Sequence, residues 1–217
     1  MPKLTFLVFS VSTICSTLTY AADINNTDCE KETKKLRETP TMVKADEASS
    51  RKDINGEIKF LKIAVQENNP WAKLMLGLTY HEGTNTPKND SEAIRLIKSA
   101  AEQGYCQAQA TLGYSYKSGT MVIQNYAEAL RWFKAGAAQG FDSAWSSLFY
   151  MYRDGKGTPQ NYVKAHMWMN LYTARAHVNE FEIEERNRLE KNMTQQQVNQ
   201  AHKLAAQCLA SNFKQCD

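Results

Sequence analysis

Proline and glycine are scarce in this chain. With 5 Pro and 10 Gly among 217 residues it is neither collagen-like nor low-complexity, and long stretches of regular backbone are permitted. An excess of one charge is also lacking. The 26 basic and 23 acidic residues nearly cancel to +3, and no stretch gathers Lys and Arg into the stripe that phosphate neutralisation requires, which argues against nucleic acid as a partner. Histidine is rare: His81, His166, His177 and His202 are scattered, and none has a second ligand at metal spacing, so neither metal nor cofactor is expected. His81-Glu82 runs into Gly83 and Thr84 and never reaches the second His of a metalloprotease helix. No apolar run is long enough to cross a bilayer. The longest candidate, Leu4 to Leu18, has about 15 residues with hydroxyls interspersed, where roughly 20 are needed.

That short run fits another purpose. Lys3 supplies a positive start, Leu4 to Leu18 an apolar centre, and Thr19-Tyr20-Ala21 a small-residue ending, so residues 1–22 read as a cleaved signal peptide. The mature chain is then exported, to the periplasm first and the exterior second, with no membrane span. Thr13-Ile14 before Cys15 lack the small pair of a lipoprotein site. Cleavage leaves Cys29, Cys106, Cys208 and Cys216, an even number in an oxidising compartment. Three pairings exist. The short separation of Cys208 from Cys216 favours a local bridge and leaves Cys29 with Cys106; free buried thiols are the alternative.

Sliding the sequence against itself by 36 residues aligns its middle three times without a gap. Ala72, Leu76, Tyr80 and Gly83 recur as Ala108, Leu112, Tyr116 and Gly119, then as Ala144, Leu148, Tyr152 and Gly155. Positions four apart lie along one face of an α-helix, which must be buried, and Gly83 suits a left-handed cap. After a polar loop, Asp90 and Ser91 are the expected N-cap of a second helix, whose apolar stripe is Ala93, Ile94, Leu96, Ile97, Ala100 and Ala101 before Gly104. Trp132 and Trp168 fall where the first copy has Leu96. A helix pair cannot bury both of its stripes alone, so the pairs stack into an all-α, right-handed α-solenoid with helical caps.

The expected organisation is a lead or cap at 23–52 that is partly flexible, a half repeat at 53–71, repeats at 72–107, 108–143 and 144–176, and a C-terminal helical cap at 177–217. In that cap Asn179 to Lys191 and Thr194 to Leu209 read as a closing helix pair, the second opened by a Thr194/Gln197 capping box. Gly155-Lys156-Gly157-Thr158 lacks the strand and glycine spacing of a phosphate loop and reads as a turn between helices.

The run Ala-x-x-x-Leu-Gly-x-x-Tyr-x-x-Gly, realised at Ala72–Gly83 and Ala108–Gly119, resembles the signature of Sel1-like repeats (SLR). So does the second-helix run Asn125-Tyr126-Ala127-Glu128-Ala129-Leu130-Arg131-Trp132-Phe133-Lys134-Ala135, echoed from Asn161 to Trp168. The resemblance covers roughly residues 57 to 208. Phe149 stands where the family has Gly, and Gly136 where it has Ala. Tetratricopeptide repeats have a 34-residue period that does not align this chain. The resemblance implies adaptor or scaffold work with a partner on the inner face and, in exported bacterial members, neutralising of toxins or effectors, envelope assembly or host interaction.

Positions 4, 8 and 11 of each first helix point away from the stack in this reading. They are Met75, Thr79 and Glu82, then Thr111, Ser115 and Ser118, then Ser147, Met151 and Asp154, with Tyr114 and Tyr150 beside them as candidate anchors. The expectation is a hydroxyl-rich concave surface that binds another protein, without catalysis. The alternative is a weak penicillin-binding or β-lactam-hydrolysing enzyme, since some cysteine-containing SLR proteins are described so. Ser-x-x-Lys occurs at Ser49–Lys52 and Ser211–Lys214, but without Ser-Asp-Asn, Lys-Thr-Gly or the one disulfide per repeat of those proteins.

Overall fold

The structure, a computed structural model, describes residues 28–83, 85–175 and 180–216; the leader read at 1–22 lies outside them. Among the described residues there are eleven helices and no strand. They are α1 (Asp28–Arg37), α2 (Pro40–Ser50), α3 (Ile54–Gln66), α4 (Pro70–Glu82), α5 (Asp90–Glu102), α6 (Cys106–Ser118), α7 (Tyr126–Ala137), α8 (Asp142–Asp154), α9 (Tyr162–Arg175), α10 (Glu180–Glu190) and α11 (Gln195–Ala210). Packing is most extensive within the pairs α2/α3, α4/α5, α6/α7 and α8/α9, and each pair then rests on the next. The result is an all-helical solenoid.

Local chemistry repeats with the period. Gly83, Gly119 and Gly155 end the first helices in the left-handed region, at φ 69°, 78° and 67°, a conformation glycine adopts without a Cβ penalty. The second helices begin on Asn89, Asn125 and Asn161, whose side-chain oxygens accept from Glu92, Ala127 and Glu128, and Lys164 backbone N–H groups. The cap is therefore one residue before the Asp90 and Ser91 expected. The backbone explains why: the Asn89, Asn125 and Asn161 N–H groups donate to the Tyr80, Tyr116 and Tyr152 carbonyls at 2.8, 2.9 and 2.8 Å. Each Asn thus closes the loop with its backbone and opens the helix with its side chain.

A second periodic contact joins units. Lys73, Gln109 and Trp145 share one repeat position, and each donates into the second helix of the preceding pair or the segment after it. Lys73 Nζ donates to Asn68 Oδ1 just after α3, Gln109 Nε2 reaches the Ala101 carbonyl at 3.2 Å, and Trp145 Nε1 reaches the Ala137 carbonyl at 3.1 Å. Two apolar clusters form the core and meet at α7, where Trp132 belongs to one and Phe133 to the other. Between α6 and α7 the backbones are close: a Cβ on Gly113 would stand 2.8 Å from the Phe133 ring. Phe149 occupies the same place in α8 and is fully buried, and the residue 36 after Phe133 is the slimmer Met169.

Residues 28–50, expected as a cap or a partly flexible lead, form α1 and α2. Met42, Ala45 and Ala48 of α2 are buried against α3, so the segment read as a half repeat has a helical partner. Both expected bridges are present, Cys29–Cys106 and Cys208–Cys216, with Cα–Cα distances of 5.9 and 4.6 Å. The Thr194/Gln197 capping box is formed. The C-terminal helices are not a mutual pair, because α10 and α11 both lie on α9. The reason is composition: α10 buries only Glu185 and Leu189, too little to hold a second helix, while α11 buries Ala201, Ala205 and Cys208.

Candidate functional site

Of the residues expected on the inner face, five are interior. Met75, Thr79, Ser115, Ser147 and Met151 are at most 3% exposed. The hydroxyls serve their own helices: Thr79 Oγ1 donates to the Met75 carbonyl, Ser115 Oγ to that of Thr111, and Ser147 Oγ to that of Ser143. Positions 4 and 8 therefore carry small or flexible side chains because first helices of neighbouring units approach there, which is a packing requirement. Glu82, Ser118 and Asp154 are exposed, Thr111 and Tyr150 are half-buried, and Tyr114 is 42% exposed. The accessible face is narrower than expected and shifted toward the ends of the first helices.

Tyr114 ties units two and three together, since its hydroxyl lies 2.8 Å from Ser147 Oγ and 3.3 Å from the Ser143 carbonyl. Its ring meets Phe133 edge-on at 5.0 Å. One turn further along α6, Lys117 holds its ammonium 5.8 Å from the Tyr114 ring centre and 5.9 Å from that of Tyr150 in α8. The i, i+3 part of this arrangement recurs one repeat on, where the Arg153 guanidinium lies 4.8 Å from the Tyr150 ring; its second ring, Phe149 at 5.4 Å, belongs to its own helix. Lys117 and Arg153 are absent from the expected face, although the signal is legible. Tyr114/Lys117 and Tyr150/Arg153 are the same i, i+3 pair, 36 residues apart.

The charges are unevenly satisfied. Arg153 bonds Asp154 at 2.7 Å and also pairs with Glu185, whose other oxygen takes Arg188 at 2.6 Å. Burial, with Lys156 nearby, pulls Lys117 below the ordinary lysine value; burial pushes the Tyr114 and Tyr150 phenols up. Between these groups lies an open depression of about 290 Å³ lined by Lys117, Tyr150, Met151, Asp154 and Lys156.

A second polar cluster sits under the C-terminal helices. His166 is wholly buried in α9; Asn170 Nδ2 donates to its Nδ1 at 2.9 Å, and its Nε2 is 2.6 Å from Glu190 Oε1 of α10. His202 of α11 meets it edge-on at 5.4 Å. In the sequence His166 stands isolated because, Asn170 apart, its partners come from other helices. Burial holds its pKa below the ordinary value against the opposing pull of Glu190, with His202 and Arg186 acting in the same direction as burial. The unfolded chain then takes up this proton before the folded one. Stability is full above the unfolded value of about 6.5 and falls as the pH drops through the lowered folded value, by at most about 1.4 kcal/mol per pH unit. Thermal melts from pH 7.5 to 5 should show this loss, and His166→Asn should flatten the profile; an unchanged slope would mean other groups carry it.

The Ser-x-x-Lys pairs end helices at the surface. Lys52 is exposed, and Ser211 Oγ donates to the Cys208 carbonyl at 2.8 Å beside an exposed Lys214. Among the described residues no group of three metal-ligating side chains is present, and no helix is long and apolar enough to cross a membrane.

A repeat model described as Sel1 repeat matches residues 72–105, 106–141 and 145–171. In structure the chain is similar to a protective antigen of uropathogenic Escherichia coli strains that displays an SLR fold. The two are 27% identical with a TM-score of 0.61, over 72% of this chain and 35% of the other, so it spans about a third of that protein. It is also similar to a Sel1 repeat protein from Oxalobacter formigenes, at 31% identity and a TM-score of 0.54, over 58% of this chain and 94% of that one. No curated protein matches the chain.

Proposed function

We propose, for a chain that belongs to the Sel1 repeat family, that it is an exported binding module holding one partner protein on the face lined by its first helices. Sel1 repeats are in general protein-interaction modules. The observation that carries the finer reading is the ladder of Tyr114, Lys117, Tyr150 and Arg153, where side chains of two units converge on one accessible strip. Partly exposed aromatics and cations there supply anchoring area and orientation, the usual makeup of an interface centre. The two disulfides fit an oxidising compartment and support export. Within that compartment an adaptor, or an inhibitor that covers a toxin or effector, is the role such a strip suits best.

A photo-crosslinking residue placed at exposed Ser118 on α6 tests this against one at exposed Lys98 on α5. The expected result is one protein species captured in stoichiometric amount from Ser118 and not from Lys98. Equal capture from both positions, or capture from Lys98 alone, would overturn the assignment of the face.

A further inference from the structure

We propose that the depression beside Lys117 is an acceptor for the carboxylate of an acidic side chain, carried on an extended segment of the partner protein. This rests on the binding-face reading and specifies what the face recognises.

The case begins with a cation that has rings for neighbours and feels a carboxylate, Asp154, only from a distance, without a direct ion pair. Lys117 is half-buried over Tyr114 and Tyr150. The one carboxylate of the depression, Asp154, is taken by Arg153 at 2.7 Å and stands 3.9 Å from Lys156. Three cations thus surround one carboxylate on the floor, and Glu185, which also serves Arg153, is 92% buried at its side chain and shared with Arg188. Within the lining itself two ammonium groups, Lys117 and Lys156, face the single carboxylate of Asp154, with Glu182 further off near Tyr150, and this local excess makes the depression complementary to an acidic side chain. A phenol face attracts an ammonium but leaves its N–H donors unfilled, and an incoming carboxylate would supply charge-assisted hydrogen bonds in partly desolvated surroundings. Burial has already lowered the Lys117 pKa, so the group gains most from such a partner.

Size and charge select among anions. About 290 Å³, open to solvent, admits a side-chain terminus and falls at the low end for a whole small ligand. Single-stranded nucleic acid needs free aromatic faces for stacking, and Lys117 and Arg153 lie over those of Tyr114 and Tyr150.

The test uses the oxidised protein and two fluorescein-labelled peptides, one of alternating Gly and Glu and one of alternating Gly and Gln, read by anisotropy at low salt. The Glu peptide is expected to bind, to weaken as salt rises, and to lose at least tenfold in affinity with Lys117→Met, which keeps the aliphatic stem over the rings. Lys117→Arg should retain binding, and Lys98→Met should leave it unchanged, with thermal melts confirming that each variant is folded. No binding of the Glu peptide, equal binding of the Gln peptide, or equal losses from Lys117→Met and Lys98→Met would overturn the proposal. So would tighter, Lys117-dependent binding of an oligothymidine. If the peptide arm fails while Ser118 still captures one protein, the carboxylate assignment falls and the face stands; if Ser118 captures nothing, the face falls as well.

Discussion

Removing the Cys29–Cys106 bridge, by reduction or as Cys29→Ala/Cys106→Ala, is expected to lower the melting temperature by roughly 10 °C and to set α1 free. The bridge closes a separation of 77 residues, for which the chain-entropy account gives about 4.5 kcal/mol. For a chain of this size each kcal/mol moves the midpoint by about 2–4 °C. Helix α1 has little else to hold it. Of its ten residues only Cys29 is buried, and seven are charged. The further contacts are few: Leu36 packs partly buried against the core, Thr33 Oγ1 lies 3.3 Å from the buried Tyr105 hydroxyl, Asn69 Nδ2 donates to the Leu36 carbonyl at 2.9 Å, and Arg37 pairs with Asp46 at 3.2 Å with its guanidinium 5.4 Å from the Trp71 ring. A ten-residue polar helix does not persist alone in water, so losing the tether should melt it. Hydrogen exchange will show this directly, with α1 amides unprotected and α4 to α9 still slow. Protection of α1 in the variant would mean that these contacts suffice. The Cys208–Cys216 bridge closes a separation of only 8 and should contribute less, about 2.5 kcal/mol.

Legibility in the sequence follows the physics of repetition. Buried positions such as Ala72, Leu76, Ala93 and Trp132 recur with the period because each unit meets the same neighbours, so the 36-residue spacing by itself specifies the solenoid. The Cys208–Cys216 pairing is readable from separation, and Cys29–Cys106 by what remains. Met75, Ser115 and Met151 mislead because a helix between two neighbours buries two faces, and Ala, Leu and Tyr mark only one of them. Small polar residues at the second face resemble a solvated surface, and only the bonding of their hydroxyls to their own helix tells the two apart. The Lys117 and Arg153 register is present in the sequence but sits outside the core positions that make the period conspicuous. The His166 cluster is not legible at all, since Glu190 and His202 reach it from helices that no periodic pattern orients.

Trp145→Ala is expected to destabilise the fold by about 4 kcal/mol, near the largest loss that one truncation produces. Trp145 is fully buried and does three things at once. It fills the space between α7 and α8, its Nε1 satisfies the Ala137 carbonyl at the end of α7, and its ring lies 4.9 Å from Phe213 beyond α11. The repeat supplies its own controls for separating these roles. Gln109 makes the same hydrogen bond one unit earlier, to Ala101 at 3.2 Å, so Trp145→Gln keeps the bond and loses the volume. Trp145→Phe keeps most of the volume and loses the bond. If packing dominates, urea titrations should place Trp145→Gln close to Trp145→Ala and Trp145→Phe within about 1.5 kcal/mol of the parent, since a hydrogen bond contributes only about 1 kcal/mol net. The reverse order would show that the Ala137 carbonyl, not the cavity, governs this junction. Phe213→Ala combined with each variant then measures whether the C-terminal helix is held through the ring. A coupling of about 0.5 kcal/mol or more between positions 145 and 213 is expected, and strict additivity would show that Cys208–Cys216 and the face of α11 on α9 hold that end without the aromatic contact.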